Sequence, residues 1–252
     1  MSRKNNNQIY THPVSAEEEL ELNSTEPTRL LPNSDKLVIH TVPAQKIIEG
    51  YRDERNYGAW GLRDFCNRMA AAYYASGLDD PYADQLLVNV YNECIKVRRV
   101  IVKLEEEYLK KIKQVQGLEL AVREALEPMT YNISLKTPYG YLVAYLLIEF
   151  DRFCRTIISA KMAVLMSERN TIEKPILDLR RKIRRLLSAP LHWRYTGITR
   201  TDIDNQHKSA DRAKKVNKFA VDPSVLSREK RAPYAPRIRD IFDELDDPKY
   251  ST

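Results

Sequence analysis

The sequence is poor in the residue groupings from which catalytic and metal centres are built. Its four histidines, His12, His40, His192 and His207, are scattered, with neither His-x-x-x-His nor Cys-x-x-Cys spacing. It has no Gly-rich phosphate loop, no Gly-x-Ser-x-Gly elbow and no nucleophile beside an evident base. The acidic pairs Asp79-Asp80 and Asp246-Asp247 fall at a helix cap and in a tail. The expectation is therefore no catalytic residue, no metal, no cofactor and no enzyme. Cysteine is scarce as well. Cys66, Cys94 and Cys154 are odd in number, widely spaced and set in apolar helical patterns, so they read as reduced core residues rather than a disulfide framework. No window offers the roughly 18 uninterrupted apolar residues of a membrane helix. The first residues, Met1 to Asn7, lack the apolar core of a signal peptide. A soluble cytoplasmic protein without membrane partners is expected.

What is present is a core and an uneven distribution of charge. Hydrophobic residues make up 43% of the chain, enough for a globular body. The net charge of +6 hides an asymmetry: residues 161–240 carry 20 Lys/Arg against 9 Asp/Glu, a local excess of 11. Such a block fits nucleic acid or an anionic surface; it also fits a solvated, arginine-rich helix face. Thirteen prolines against seven glycines, many of the prolines near the ends, suggest tails around a compact middle. Residues 1–34, with an Asn run, Glu17-Glu18-Glu19 and three prolines, read as a flexible tail. Residues 35–218 read as a single helical domain with an embedded β-ribbon, and 219–252 as an extended C-terminal tail.

Within the middle, Lys36 to Val42 is β-rich and ends at Pro43, with Leu37 and Ile39 on one face and Lys36, Val38 and His40 on the other. A short helix or turn through Gln45–Glu49 stops at Gly50. Trp60, Leu62, Phe65, Cys66, Met69 and Tyr73 recur at helical spacing as far as Ser76-Gly77, and Asp79-Asp80-Pro81 starts the next helix. There Val90, Cys94, Val97, Ile101, Leu104, Tyr108, Val115, Leu118 and Val122 form a heptad seam, with Lys111 as its polar interruption. The seam predicts lengthwise packing against a helix of the same chain or of a second copy. After Pro128, Thr130 to Lys136 alternates again, with Tyr131, Ile133 and Leu135 on one side. Thr137-Pro138 starts a helix whose apolar face runs through Leu142, Leu146, Phe150, Phe153, Ile157 and Val164. Ile176, Leu179, Ile183 and Leu186 define a last amphipathic helix, closed by Pro190. Residues 191–218 read as a docked loop and short helix.

These elements point to DNA. Arg180-Arg181-Lys182-Ile183-Arg184-Arg185 places five cations on two helical turns, and Lys161, Lys214, Lys215 and Lys218 widen the field. A two-stranded ribbon fits the major groove, where outward side chains reach base edges. Asn132, Ser134 and Lys136, or Lys36 and His40, have the chemistry for that role, while Arg180, Arg181, Arg184 and Arg185 would anchor phosphates. The alternative is a hairpin that merely covers the core.

Several stretches carry a resemblance. They are Asp79-Asp80-Pro81-Tyr82-Ala83-Asp84, Pro138-Tyr139, Tyr145-Leu146-Leu147 and Phe150-Asp151-Arg152. They continue with Ser188-Ala189-Pro190, Gly197-Ile198-Thr199-Arg200-Thr201-Asp202 and Arg231-Ala232-Pro233-Tyr234-Ala235-Pro236. In order, and across about residues 36 to 237, they resemble a family encoded by integrating conjugative elements and conjugative plasmids, which includes the transcriptional activator AcaB. The resemblance implies a ribbon-helix-helix DNA-binding unit and a bacterial, nucleoid- or plasmid-associated regulator that activates conjugative transfer genes. The helices here are longer than those of a minimal ribbon-helix-helix unit, so that unit would be embedded in a larger, elongated helical body. The combined expectation is a mainly α protein that binds promoter double-stranded DNA as a homodimer or higher homo-oligomer. The alternative is an interaction protein of the conjugation machinery.

Overall fold

The computed structural model describes residues 35–52, 58–113, 122–162 and 169–239. The expected tail 1–34, Val115 and Leu118 of the seam, Val164 and residues 240–252 lie outside these. The first strand, β1 (Asp35–Ile39), is followed by helix α1 (Val42–Glu49) and by a hairpin of β2 (Tyr51–Arg52) and β3 (Gly58–Ala59). Then come α2 (Leu62–Gly77), the long α3 (Pro81–Lys113), β4 (Met129–Ile133), α4 (Pro138–Met162) and α5 (Arg169–Ser188). A 3-10 turn at Ala189–His192 leads to three short helices, α6 (Arg200–Asp204), α7 (Lys208–Val216) and α8 (Pro223–Leu226).

Local sequence explains most boundaries. The strand ends at Ile39 rather than running on to Val42, because Thr41 caps α1 and Pro43 sits in its first turn, where a missing N–H costs nothing. Gly50, with φ of +69°, ends α1; a Cβ there would lie 2.4 Å from the Ala59 carbonyl oxygen. The Asp80 carboxylate accepts the backbone N–H groups of Tyr82 (2.9 Å) and Ala83 (3.1 Å) and so caps α3.

The α3 seam is filled from within the chain. Val90, Cys94, Val97, Ile101 and Tyr108 are buried. Cys94 meets the Leu142 carbonyl, Arg98 pairs with Glu149, and the Tyr108 ring stands edge-on to Phe153. Contacts advance together along both helices, so α3 and α4 run in the same direction, with β4 on the return path between them. Lys111 is exposed, its Nζ 5.1 Å from the Tyr108 ring centre, and Ile112 is buried instead. All three cysteines are free and buried; burial pushes the Cys66 thiol up to about 12 and Cys94 up to about 11.

Two polar nodes tie distant segments to this body. At the first, the buried Asp151 carboxylate accepts the Thr41 N–H (2.8 Å), the Thr41 hydroxyl (2.7 Å) and the His40 N–H, fixing the β1–α1 junction on α4. At the second, Arg200 is 3% exposed and donates to Asp79 Oδ1 and Asp84 Oδ2, both at 2.6 Å, and to the carbonyls of Val225 and Leu226. Arg228 joins Asp79; Arg231 joins Asp84, Ser76 and the Pro236 carbonyl. Ser76 donates to Asp84 as well. Residues 219–239, from the stretch expected as an extended tail, are thereby docked, with Val225 and Ala232 buried and the Tyr139 hydroxyl donating to the Pro233 carbonyl.

Candidate nucleic-acid interface

β1 and β4 pair antiparallel within one chain, Lys36 opposite Asn132 and Val38 opposite Thr130. The period-2 alternation then sorts the side chains. Leu37, Ile39 and Ile133 face the core, while Lys36, Val38, Thr130 and Asn132 are exposed. Two of the expected base-reading residues, Lys36 and Asn132, are thus cross-strand neighbours. Ser134 is exposed just beyond the strand end. Lys136 leaves the strand line: its φ is +60°, and its ammonium donates to Asn67 of α2 at 2.7 Å. His40 lies past the end of β1, half-buried. Its Nδ1 accepts the Ala125 N–H at 3.3 Å, so it is not on the outer face with Lys36.

The α5 cations are divided in their commitments. Leu179, Ile183, Leu186 and Leu187 face inward. Arg181 is exposed and pairs with Asp178 at 3.2 Å. Arg184 is half-buried and donates Nη2 to the Lys46 carbonyl of α1 at 3.0 Å, leaving its Nη1 buried without a partner. Burial lowers its pKa, and the charge of Arg180 lowers it further. Arg180 is half-buried and Arg185 exposed; among the described residues neither has a carboxylate within ion-pair distance.

Between β4, α1 and α2 lies a cleft of about 610 Å³, lined by Ile48, Glu49, Tyr51, Arg63, Thr130 and Asn132 among others. Tyr51 lies in it and also feels the charge of Arg184. The Tyr131 hydroxyl donates to Glu49 at 2.7 Å, and burial together with that carboxylate raises its pKa. Arg63 and Asn67 bring α2 into this surface, which the sequence reading missed. Their four-residue spacing on one helix face was the available signal. Lys161 is exposed on the last turn of α4.

Comparison with known proteins now bears on what this surface serves. The family described as "Transcriptional regulator AcaB" matches residues 29–239. The chain belongs to the AcaB transcriptional regulator family. The fold is similar to the crystal structure of selenomethionine-containing AcaB from uropathogenic E. coli, with a TM-score of 0.53 and 13% sequence identity. That likeness covers 78% of this chain and 95% of the other; at this identity it speaks for the fold alone. Comparison with curated proteins gives no match. The AcaB-family assignment makes the chain a transcription regulator. Its architecture is mainly helical, with two small antiparallel two-stranded sheets among the described residues. No described helix is long and apolar enough to cross a membrane.

Proposed function

We propose that this regulator binds promoter DNA through the outer face of the β1–β4 ribbon and activates genes of conjugative transfer. The observation that carries the reading is Lys36 standing opposite Asn132 on a solvent-facing ribbon whose other face packs Leu37, Ile39 and Ile133 on the core. A ribbon of this width enters the major groove, where lysine suits guanine O6 and N7 and asparagine pairs with adenine N6 and N7. The order β1, α1, α2 supplies a strand–helix–helix unit, here interrupted by the β2–β3 hairpin and set on a larger helical body. Arg180 and Arg185 would hold phosphates and set register without reading sequence. Conjugation as the target process rests on the family resemblance.

A homodimer is part of the proposal. Because the α3 seam is used inside the chain, the second copy would pack on the outer face of α4, where Tyr141, Tyr145 and Ile148 are exposed at 39%, 59% and 43%. Tyr141 also donates to Asp35 at the start of β1, so a two-fold contact there would bring two ribbons close together, as paired half-sites require. A monomer by sedimentation at DNA-binding concentrations would exclude this.

The test is selection of a preferred duplex from a random pool, followed by salt-titrated binding to that duplex and to an unrelated one. Asn132→Ala should cost about 1–3 kcal/mol on the selected duplex and little on the other. Equal loss on both would remove the ribbon from base reading.

A further inference from the structure

Several arginines on the helical body are neutralised: Arg98 pairs with Glu149, Arg152 with Glu105 and Arg155 with Glu124. The region around α7 is treated differently. Lys208, Arg212 and Lys215 are spaced four and three residues apart, which puts them on one helix face over roughly 10 Å of axis. Lys214 and Lys218 flank that face, and Asp211 is the one carboxylate among residues 205–218. All five cations are exposed, and among the described residues none has a carboxylate within ion-pair distance. Like charges at these spacings destabilise a helix, and this one has only nine residues. The folded chain carries that cost because α7 is anchored from below. Ala213 is fully buried, Asn217 donates to the Ala213 carbonyl and accepts the Arg194 N–H at 2.8 Å, and the Lys218 N–H reaches the His192 carbonyl.

The same anchoring places Arg194 beside these lysines. Arg194 is exposed, and next to it Tyr195 is 59% exposed, its ring 6.3 Å from that of Trp193. Helix α2 connects this surface to the ribbon. Asn67 receives Lys136, and its neighbour Arg68 donates to the Trp193 carbonyl at 3.0 Å while lying over the indole.

We propose that the α7 face, Lys208, Arg212 and Lys215 with Arg194 and Lys218, is the main phosphate-contacting surface for duplex DNA. Free cations have no internal partner to give up, and phosphates relieve their mutual repulsion while releasing condensed counterions. On α5, Arg181 and Arg184 are already committed to Asp178 and the Lys46 carbonyl, which leaves Arg180 and Arg185 as the smaller phosphate-holding set there. This assignment rests on the DNA-binding reading above and extends it to a surface separate from the ribbon.

The experiment compares wild-type protein with the triple variant Lys208→Ala, Arg212→Ala, Lys215→Ala on the selected and the unrelated duplex, from low to moderate salt. Each lost phosphate contact should flatten the dependence of log affinity on log salt by about 0.9, so the triple variant should lose roughly 2.7 of the slope. Affinity should fall alike on both duplexes, leaving their ratio unchanged. A second triple with Gln at the same positions should behave the same way, and thermal unfolding should confirm that both variants fold. If wild type binds with a steep slope that both triples retain, the α7 assignment is overturned while DNA binding stands. If wild type binds neither duplex, the DNA-binding reading fails, and this inference with it.

Discussion

Arg200 and Arg212 sit in adjacent short helices and meet opposite fates. Arg200 is buried, its guanidinium divided between two aspartates and the carbonyls of Asp79, Val225 and Leu226. Arg212 is exposed, without a carboxylate in reach among the described residues. The buried group gave up hydration and recovered it only because Asp79 and Asp84 stand where its fork points. The exposed group keeps its hydration and its freedom to meet an anion from outside. Several charged residues in the stretches that carry the family likeness belong to the first kind: Asp79, Asp84, Asp151, Arg200 and Arg231 bond within the body. Those proposed to meet DNA, Lys36, Asn132 and the α7 cations, lie outside those stretches. In this chain the stretches that carry the likeness mark the scaffold, and the proposed contact residues lie before or between them.

The strongest way to break this comparison is to remove one member of each kind. Arg200→Ala removes the buried cation shared by Asp79 and Asp84, leaving them only the more exposed Arg228 and Arg231, and should cost about 3–5 kcal/mol of folding stability. Arg212→Ala should stay within about 0.5 kcal/mol of wild type. Urea unfolding measures both. Similar midpoints for the two variants would mean the Asp79–Arg200–Asp84 node does not hold residues 219–239 in place.

Next in size is a pH effect at the same end of α3. Burial raises the Asp80 carboxyl from 3.8 to about 6, outweighing the backbone N–H groups of Ala83 and Tyr82 that favour its charge. The folded state therefore holds a proton that the unfolded chain has released. The stabilisation is complete below about pH 4 and is lost as pH rises through about 6, an effect of about 3 kcal/mol. Asp80→Asn has no such titration, so its stability relative to wild type should improve across that window. A constant difference from pH 4 to 7 would show that Asp80 ionises normally.

Much of the scaffold was legible because it follows from periodicity. The alternation at Leu37–Ile39 and at Tyr131–Leu135, the α3 seam and the Asp80 cap all depend on residues close in sequence. Register was not legible: nothing local sets Lys36 opposite Asn132, since two strands far apart in the chain are aligned by the body between them. The docking of residues 219–239 was missed because charged residues are rarely buried, and Arg200 and Arg231 gave no sign of their aspartate partners. Counting cations located the basic region but could not divide it. Periodicity states which face of a helix carries Arg184; it is silent on the Lys46 carbonyl brought against that face by α1.

That division yields the finest test, between neighbours on α5. Arg184 satisfies the Lys46 carbonyl near the end of α1, so Arg184→Ala strands an acceptor and should cost about 1–3 kcal/mol. Arg185 is exposed and makes no such bond, so Arg185→Ala should change stability by less than about 0.5 kcal/mol. On DNA, Arg185→Ala should flatten the salt dependence by about 0.9 on any duplex, if its side chain holds a phosphate. Denaturation and salt titration of the two variants separate a structural arginine from a contacting one by independent readouts. A stable Arg184→Ala would return Arg184 to the pool of free cations and weaken the case for placing the main phosphate surface on α7.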